Sequence, residues 1–122
     1  MKLIEDQKLS RIAFDHGLTF LFEDGSEIRV EVGFRLNVAD RSPRFIEIDQ
    51  PSDYSVEVVE CLFEPGSVSV VDGSTLVISL ANSMTIEVYP DKQYEAWTFN
   101  REDGSLVVCK PGGEISSFGA VG

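Results

Sequence analysis

Apolar and polar side chains alternate along much of the chain, and this alternation predicts antiparallel β-strands. It is clearest at residues 27–32, where Ile28, Val30 and Val32 alternate with charged side chains. This is the pattern of a strand with one face on a core and the other in water. Asp24-Gly25, a strong hairpin-turn signal, precedes this strand. With predicted strands at residues 9–15 and 18–22 before the turn, we predict a three-stranded meander over residues 9–32.

The same pattern returns in residues 68–88 and predicts a second three-stranded meander, with turns at Asp72-Gly73 and Asn82-Ser83. A shift of 58 positions superposes the two meanders and places Leu18 on Leu76. This match indicates an internal repeat. The alternative is coincidence, because any two amphipathic meanders align at some offset. Two similar meanders are expected under either explanation.

A C-terminal hairpin is predicted from Tyr94 to Cys109, with its turn at Asp103-Gly104. Pro111-Gly112-Gly113 follows it and ends the second strand. The hairpin carries Trp97, the single tryptophan of the chain. Because this hairpin follows both meanders, we expect the tryptophan to be buried against residues of both. The alternative is a side chain that lines a ligand pocket.

The sequence predicts one helix in the chain, over residues 52–64. Ser52 can cap its start, and Pro65-Gly66 ends it. Helical spacing collects an apolar face from Tyr54, Val58, Cys61 and Leu62. It also aligns four carboxylates, spaced by four, three and four residues, into one stripe: Asp53, Glu57, Glu60 and Glu64. A strand is the alternative, because Tyr54, Val56 and Val58 also alternate with polar side chains.

Together these elements predict a mainly β fold of the α+β class. It contains two antiparallel three-stranded meanders and a C-terminal hairpin, with one helix packed on the sheet. Residues 34–38 are expected to add an edge strand to the first meander. A length of 122 residues suits one hydrophobic core, so we predict a single domain over residues 1–122.

The formal net charge of −11 changes the list of plausible partners. Nucleic acids and anionic membranes repel such a chain, so we expect neither as a partner. The charge favours either simple solubility or binding of a basic protein. No secretory signal or membrane-spanning run is present in the sequence, and a cytoplasmic location is expected. Cys61 and Cys109 are accordingly expected to be reduced, buried thiols.

Candidate catalytic and metal-binding chemistry is weak. His16 lies in a turn beside Asp15, where adjacent side chains point apart, so a catalytic pair is not expected. Glu47, Asp49 and Asp53 offer oxygen ligands, but the EF-hand spacing is absent. We therefore predict no catalytic residues, no metal site and no cofactor.

The C-terminal part of the chain contains four motifs: Tyr94-Glu-Ala-Trp97, Asp103-Gly104, Leu106-Val-Val-Cys109 and Pro111-Gly-Gly-Glu114. In these motifs the sequence resembles an uncharacterised family of short bacterial proteins, mainly from actinobacteria. Phe118 matches the aromatic that this family places after the last turn. The family carries no activity to transfer. In size and acidity the chain is also similar to immunity proteins that neutralise bacterial toxins.

A non-enzymatic, immunity-like binding protein is therefore the function that the sequence favours. The four carboxylates of the predicted helical stripe are the expected binding site for a basic, toxin-like partner, because aligned like charges repel one another until a partner compensates them. A small-ligand or enzymatic site between the two meanders is one alternative. A module that self-associates through an exposed edge strand is another, so the chain is expected to be a monomer or a homodimer.

Overall fold

The computed structural model describes residues 1–119 and shows the mainly β fold that the alternation predicts. Residues 120–122, which the single-domain prediction includes, lie outside the described part. Eleven antiparallel strands form one open sheet: β1 Lys2–Phe14, β2 Leu18–Phe22, β3 Glu27–Val30, β4 Phe34–Asn37, β5 Arg44–Ile46, β6 Pro65–Val71, β7 Thr75–Ser79, β8 Thr85–Val88, β9 Trp97–Asn100, β10 Leu106–Cys109 and β11 Ile115–Phe118. The helical parts are short: α1 Ser55–Val59 and 3₁₀ turns at Pro51–Asp53, Ala81–Ser83 and Pro111–Gly113.

The long strand β1 joins two halves of the sheet, whose order is β11-β10-β9-β3-β2-β1-β6-β7-β8-β4-β5. The second part of β1 pairs with β2, and the first part pairs with β6, where Ile4 lies opposite Val68. The predicted meander starts its first strand at Leu9 and leaves residues 2–8 out of it, which is wrong. Leu3 and Ile4 are buried and pack in the core, whereas the charged side chains between them and Leu9 obscure the alternation.

The two meanders have the same pairing register. Leu18 lies opposite Val30 in the first meander, and Leu76 lies opposite Val88 in the second. Each of the four residue pairs between β2 and β3 recurs between β7 and β8 at the predicted offset of 58 positions. The meanders belong to one continuous sheet and are not separate three-stranded units. That they arose by duplication stays a prediction.

Each meander is extended by a strand from the other part of the chain. β4 follows the first meander in sequence but pairs with β8 of the second, with Leu36 opposite Ile86. β9 follows the second meander but pairs with β3 of the first, with Phe99 opposite Ile28. The expectation that residues 34–38 extend the first meander is therefore wrong. Alternation identifies a strand and its buried face, but it does not select between two free sheet edges.

A single hydrophobic cluster fills the space between the two halves. Trp97 is completely buried in it, and its indole Nε1–H donates a hydrogen bond of 3.0 Å to the Ser74 carbonyl in the β6–β7 turn. Trp97 also pairs with Val30 of the first meander, so its predicted burial against both meanders is confirmed. Gly66 marks another close approach, since a Cβ there would lie 3.3 Å from the Phe22 ring and 3.2 Å from Leu80.

The predicted helix over residues 52–64 is much shorter in the structure. It is reduced to α1 and the 3₁₀ turn before it, and no side chain caps α1. Tyr54 interrupts the helical backbone at φ −143°, and Phe63 reverses the chain at φ +68°. The valines of α1 are poor helix formers, so a long helix is not supported by local propensity. The predicted apolar face is largely kept, because Tyr54, Val58 and Cys61 are buried.

Replacing Trp97 by alanine tests the central place of this side chain in the core. We expect Trp97→Ala to lower the free energy of unfolding by about 3–5 kcal/mol, because it leaves a large cavity and an unpaired carbonyl. Urea unfolding followed by circular dichroism measures the loss. Tyr94→Ala is the matched control, since Tyr94 is 63% exposed and its removal should cost about 0.5 kcal/mol or less. Equal costs for the two variants would contradict a core role for the tryptophan.

Candidate functional site

Residues 51–64 form most of the connection between β5 and β6 and carry the carboxylates of the predicted binding site. Tyr54 anchors this segment to the core. Its hydroxyl donates a hydrogen bond of 3.1 Å to the Ile48 carbonyl. Its ring meets Phe34 of β4 edge-on, with ring centres 5.1 Å apart, and lies tilted against Phe14 of β1 at 5.8 Å. The segment is therefore attached to both halves of the sheet through one aromatic side chain.

The four predicted site residues do not form a single helical stripe. Asp53 belongs to the 3₁₀ turn, Glu57 to α1, and Glu60 to the turn that follows α1. Glu64 comes after the left-handed residue Phe63. The stripe was predicted from a helix that continues to residue 64, and the helix ends five residues earlier. The structure brings only Glu57 and Glu60 together, where both line a cleft of about 250 Å³ that also contains Arg41.

Glu57 differs from the other three carboxylates because it has an internal partner. Its Oε1 lies 3.0 Å from Nη2 of Arg44 in β5, and its side chain is only 26% exposed. The Asp53, Glu60 and Glu64 side chains are exposed and form no ion pair with any residue of the described range 1–119. Glu57 therefore holds α1 beside β5, whereas the other three carboxylates remain available to solvent or to a partner.

Three apolar side chains of the same segment are exposed, and sequence reasoning missed them. Val56 is 69% exposed, Val59 46% and Phe63 63%. The available signal was the composition of the helix, which has valines on both sides and not only on the core face. Val56 and Val59 are one turn apart on α1, with Glu60 and Glu64 following in sequence. We call the side chains of Val56, Val59, Glu60, Phe63 and Glu64 the Phe63 surface.

Phe63 is unusual in backbone as well as in exposure. Its φ of +68° lies in the left-handed region, where residues other than glycine, asparagine and aspartate are disfavoured. Two backbone hydrogen bonds hold the turn in place: Phe63 N–H donates to the Leu9 carbonyl at 2.7 Å, and Leu9 N–H donates to the Glu64 carbonyl at 3.0 Å. The fold therefore maintains a large, solvent-exposed aromatic side chain at a position that stability alone would give to glycine or asparagine.

Other candidate sites have less support. Asp15, the neighbour of His16, accepts hydrogen bonds from Arg29 at 3.1 Å and from the Gly17 N–H at 2.9 Å. The hydrogen bond from Arg29 is the larger cause and that from Gly17 the second. Both hold the pKa of Asp15 below its ordinary value. The carboxylate is thus directed to Arg29, and not to the exposed His16. Within residues 1–119, no group of three or more His, Cys, Asp or Glu side chains is arranged to hold a metal ion.

An open depression of about 430 Å³ lies between the β2–β3 and β9–β10 turns. Its lining is polar and comes from turn residues: Asp24, Ser26, Arg101, Glu102 and Asp103. Ligand sites are normally concave and largely apolar, with a few convergent polar groups. This depression lacks the apolar walls, so the Phe63 surface is the better candidate for binding.

Both cysteines are buried and neither forms a disulfide. Burial raises the pKa of each thiol. For Cys61 the nearby carboxylates of Glu60 and Glu64 raise the pKa further, because they oppose the formation of a thiolate. A raised pKa and a buried sulfur both argue against nucleophilic roles for these side chains.

Comparison with protein families decides what the chain is related to. The sequence model of a family of unknown function matches residues 1–119. The chain belongs to the DUF6188 family. This membership confirms the predicted resemblance to an uncharacterised family of about 120 residues. No curated protein and no solved structure matches this DUF6188 chain.

Among residues 1–119, no helix has the length and apolar character needed to cross a membrane.

The thiols give a direct test of the buried state of this DUF6188 protein. We expect Cys61 and Cys109 to react very slowly with a thiol reagent in the native protein, because only a small fraction of each is ionised and accessible. Both should react at the rate of a free cysteine after unfolding in urea. Mass spectrometry after timed alkylation measures the two rates. Fast native labelling of either cysteine would show that its burial is not maintained in solution.

Proposed function

We propose that this DUF6188 protein is a non-enzymatic binding protein that docks a basic protein partner on the Phe63 surface. The proposal treats the chain as a single domain that acts in the cytoplasm. The observation that carries it is the exposed, large apolar side chain of Phe63, a residue with left-handed backbone. Within residues 1–119, its sequence neighbours Glu60 and Glu64 form no ion pair. A binding role explains why this costly side chain is kept.

Apolar area is the first component of this surface. Aromatic side chains are enriched among the residues that dominate protein interfaces, where they fill a pocket of the partner. Phe63 projects from a turn that is held by two backbone hydrogen bonds to Leu9. Little backbone ordering is therefore needed when a partner binds, which lowers the entropy cost of association.

Charge is the second component, and it supports a basic partner. Glu60 precedes Phe63 by three residues in sequence, Glu64 follows it directly, and neither has an ion-pair partner among residues 1–119. The whole chain carries a net charge of −11. Long-range attraction would therefore steer a basic protein to this molecule, and local carboxylates would orient it at the rim of the contact. Partners of the toxin class suit the analogy with small acidic immunity proteins.

The contact of Glu57 with Arg44 determines which carboxylates can be replaced by lysine in a test of the surface charge. Reversing Glu57 would place a lysine beside Arg44 and would disturb folding as well as binding. Within residues 1–119, Glu60 and Glu64 form no ion pair, so Glu60→Lys/Glu64→Lys reverses two surface charges without breaking one. Glu95→Lys/Glu102→Lys is the matched control, because it changes the net charge equally at exposed positions outside the Phe63 surface.

The test compares the proteins that each immobilised variant captures from a lysate of the native host. Mass spectrometry identifies the captured proteins. A basic partner should be recovered with the wild type and with Glu95→Lys/Glu102→Lys, and lost with Glu60→Lys/Glu64→Lys. With the purified partner, raising the salt concentration should weaken binding, because charges farther apart than about 8 Å are screened at physiological ionic strength. Equal recovery of the same proteins by both double variants would overturn the proposal.

Phe63→Asn separates the apolar component from the charge. Asparagine adopts the left-handed conformation readily, so the free energy of unfolding should change by about 1 kcal/mol or less. We expect the affinity for the captured partner to fall by at least roughly tenfold, as for other central aromatic contacts. Calorimetric titration and urea unfolding provide the two values. Unchanged affinity would remove Phe63 from the binding site.

A further inference from the structure

We propose that β11 is an interaction edge that pairs antiparallel with β11 of a second copy of this chain. Within residues 1–119, the strand lies at one end of the eleven-stranded sheet and pairs on one side only, with β10. An open strand edge presents unpaired N–H and C=O groups and is a template for another strand. This surface is separate from the Phe63 surface.

The pairing with β10 shows which backbone groups remain open. Lys110 N–H donates a hydrogen bond of 2.8 Å to the Glu114 carbonyl at the start of the ladder. Hydrogen-bonded pairs alternate along an antiparallel ladder, so Ser116 and Phe118 direct their backbone groups to β10. Ile115 and Ser117 direct theirs away from it. Among residues 1–119, no partner is present for the outward groups of Ile115 and Ser117.

The two ends of the sheet are protected to very different degrees. Proteins protect edge strands against pairing with other chains by charged side chains, by proline and by keeping the strands short. β5, at the far end, has three residues, contains Arg44 and follows Pro43. β11 has four residues, Ile-Ser-Ser-Phe, with no charge and no proline. Its Phe118 is 55% exposed, so pairing would cover apolar area as well as backbone.

A second copy is favoured because the strand is self-complementary. In a two-fold antiparallel pair the small serines lie at the centre and each Phe118 lies towards the opposite end. Glu114 directly precedes β11 in each copy. The two Glu114 carboxylates then lie at opposite ends of the strand–strand interface. Strand geometry separates them by more than about 10 Å, beyond the screening length of about 8 Å at physiological ionic strength. No like charges face each other across the contact.

Sedimentation of the full chain as a function of concentration tests the pairing. An interface of two short strands makes a weak dimer. The protein concentration in the experiment should therefore extend to roughly 1 mM. The wild type should shift from a mass of 13.5 kDa to twice that value, and added salt should strengthen the dimer by screening the net charge. This salt response is opposite to the one expected for the basic partner, so the two proposals fail independently.

Ser117→Pro removes the outward N–H without removing a bond to β10, and should leave a monomer at every concentration. Ser117→Lys, which keeps the N–H and adds a charge to the edge, should weaken the dimer by at least tenfold. Phe45→Ser at the β5 edge is the control, because Phe45 is 63% exposed at the other end of the sheet. It should dimerise like the wild type. A wild type that is monomeric throughout would overturn the proposal.

Amide hydrogen exchange measured by NMR provides a residue-level readout. The amides of Ser116 and Phe118 should be protected at all protein concentrations, because they are bonded to β10. The amides of Ile115 and Ser117 should become protected only as the dimer forms. A dimer in which Ile115 and Ser117 stay unprotected, or which Ser117→Pro leaves intact, would show that another surface makes the contact and would overturn the assignment to β11.

Discussion

The bend in β1 is the constraint on which the rest of the fold depends. The pairing register with β6 shifts between Ile4 and Gln7, and Asp6 lies there in the left-handed region at φ +47°. Its N–H donates to the Ser67 hydroxyl at 3.0 Å, and that hydroxyl donates to the Asp6 carboxylate at 3.3 Å. Such a bulge bends a strand and increases its twist. One continuous strand can therefore serve both halves of the sheet while their apolar faces meet.

The exchange of β4 and β9 makes the two halves interdependent. Each strand leaves its own meander and closes the free edge of the other, so neither half completes its sheet alone. Phe34 and Trp97 begin these two strands and are both fully buried. Phe34 contacts Tyr54, whereas Trp97 needs an acceptor for its indole N–H and finds it at Ser74. Because these pairings join distant parts of the chain, folding is expected to be slow.

The two proposed binding features lie outside the strands of the two meanders, whose pairing registers match. After β5 the chain continues into residues 51–64, which carry the Phe63 surface, and after β10 it continues into β11. The paired meanders are committed to the core through their alternating apolar residues. The segments outside that correspondence carry exposed apolar side chains, a left-handed aromatic residue and an open strand edge. On these two proposals, the binding surfaces lie outside the paired meanders.

The sequence by itself determined the strands of both meanders, the hairpin turns and the burial of Trp97, because period-two alternation and Asp-Gly turns are local properties. It also identified the carboxylates at residues 53–64, although not their arrangement. Only the tertiary structure decided that β4 joins β8, since two equivalent edges present the same backbone pattern. It likewise shortened the helix, which begins after the non-helical Tyr54 at φ −143° and ends at Val59. Phe63 is exposed in a left-handed turn of its own at φ +68°, which no periodicity encodes.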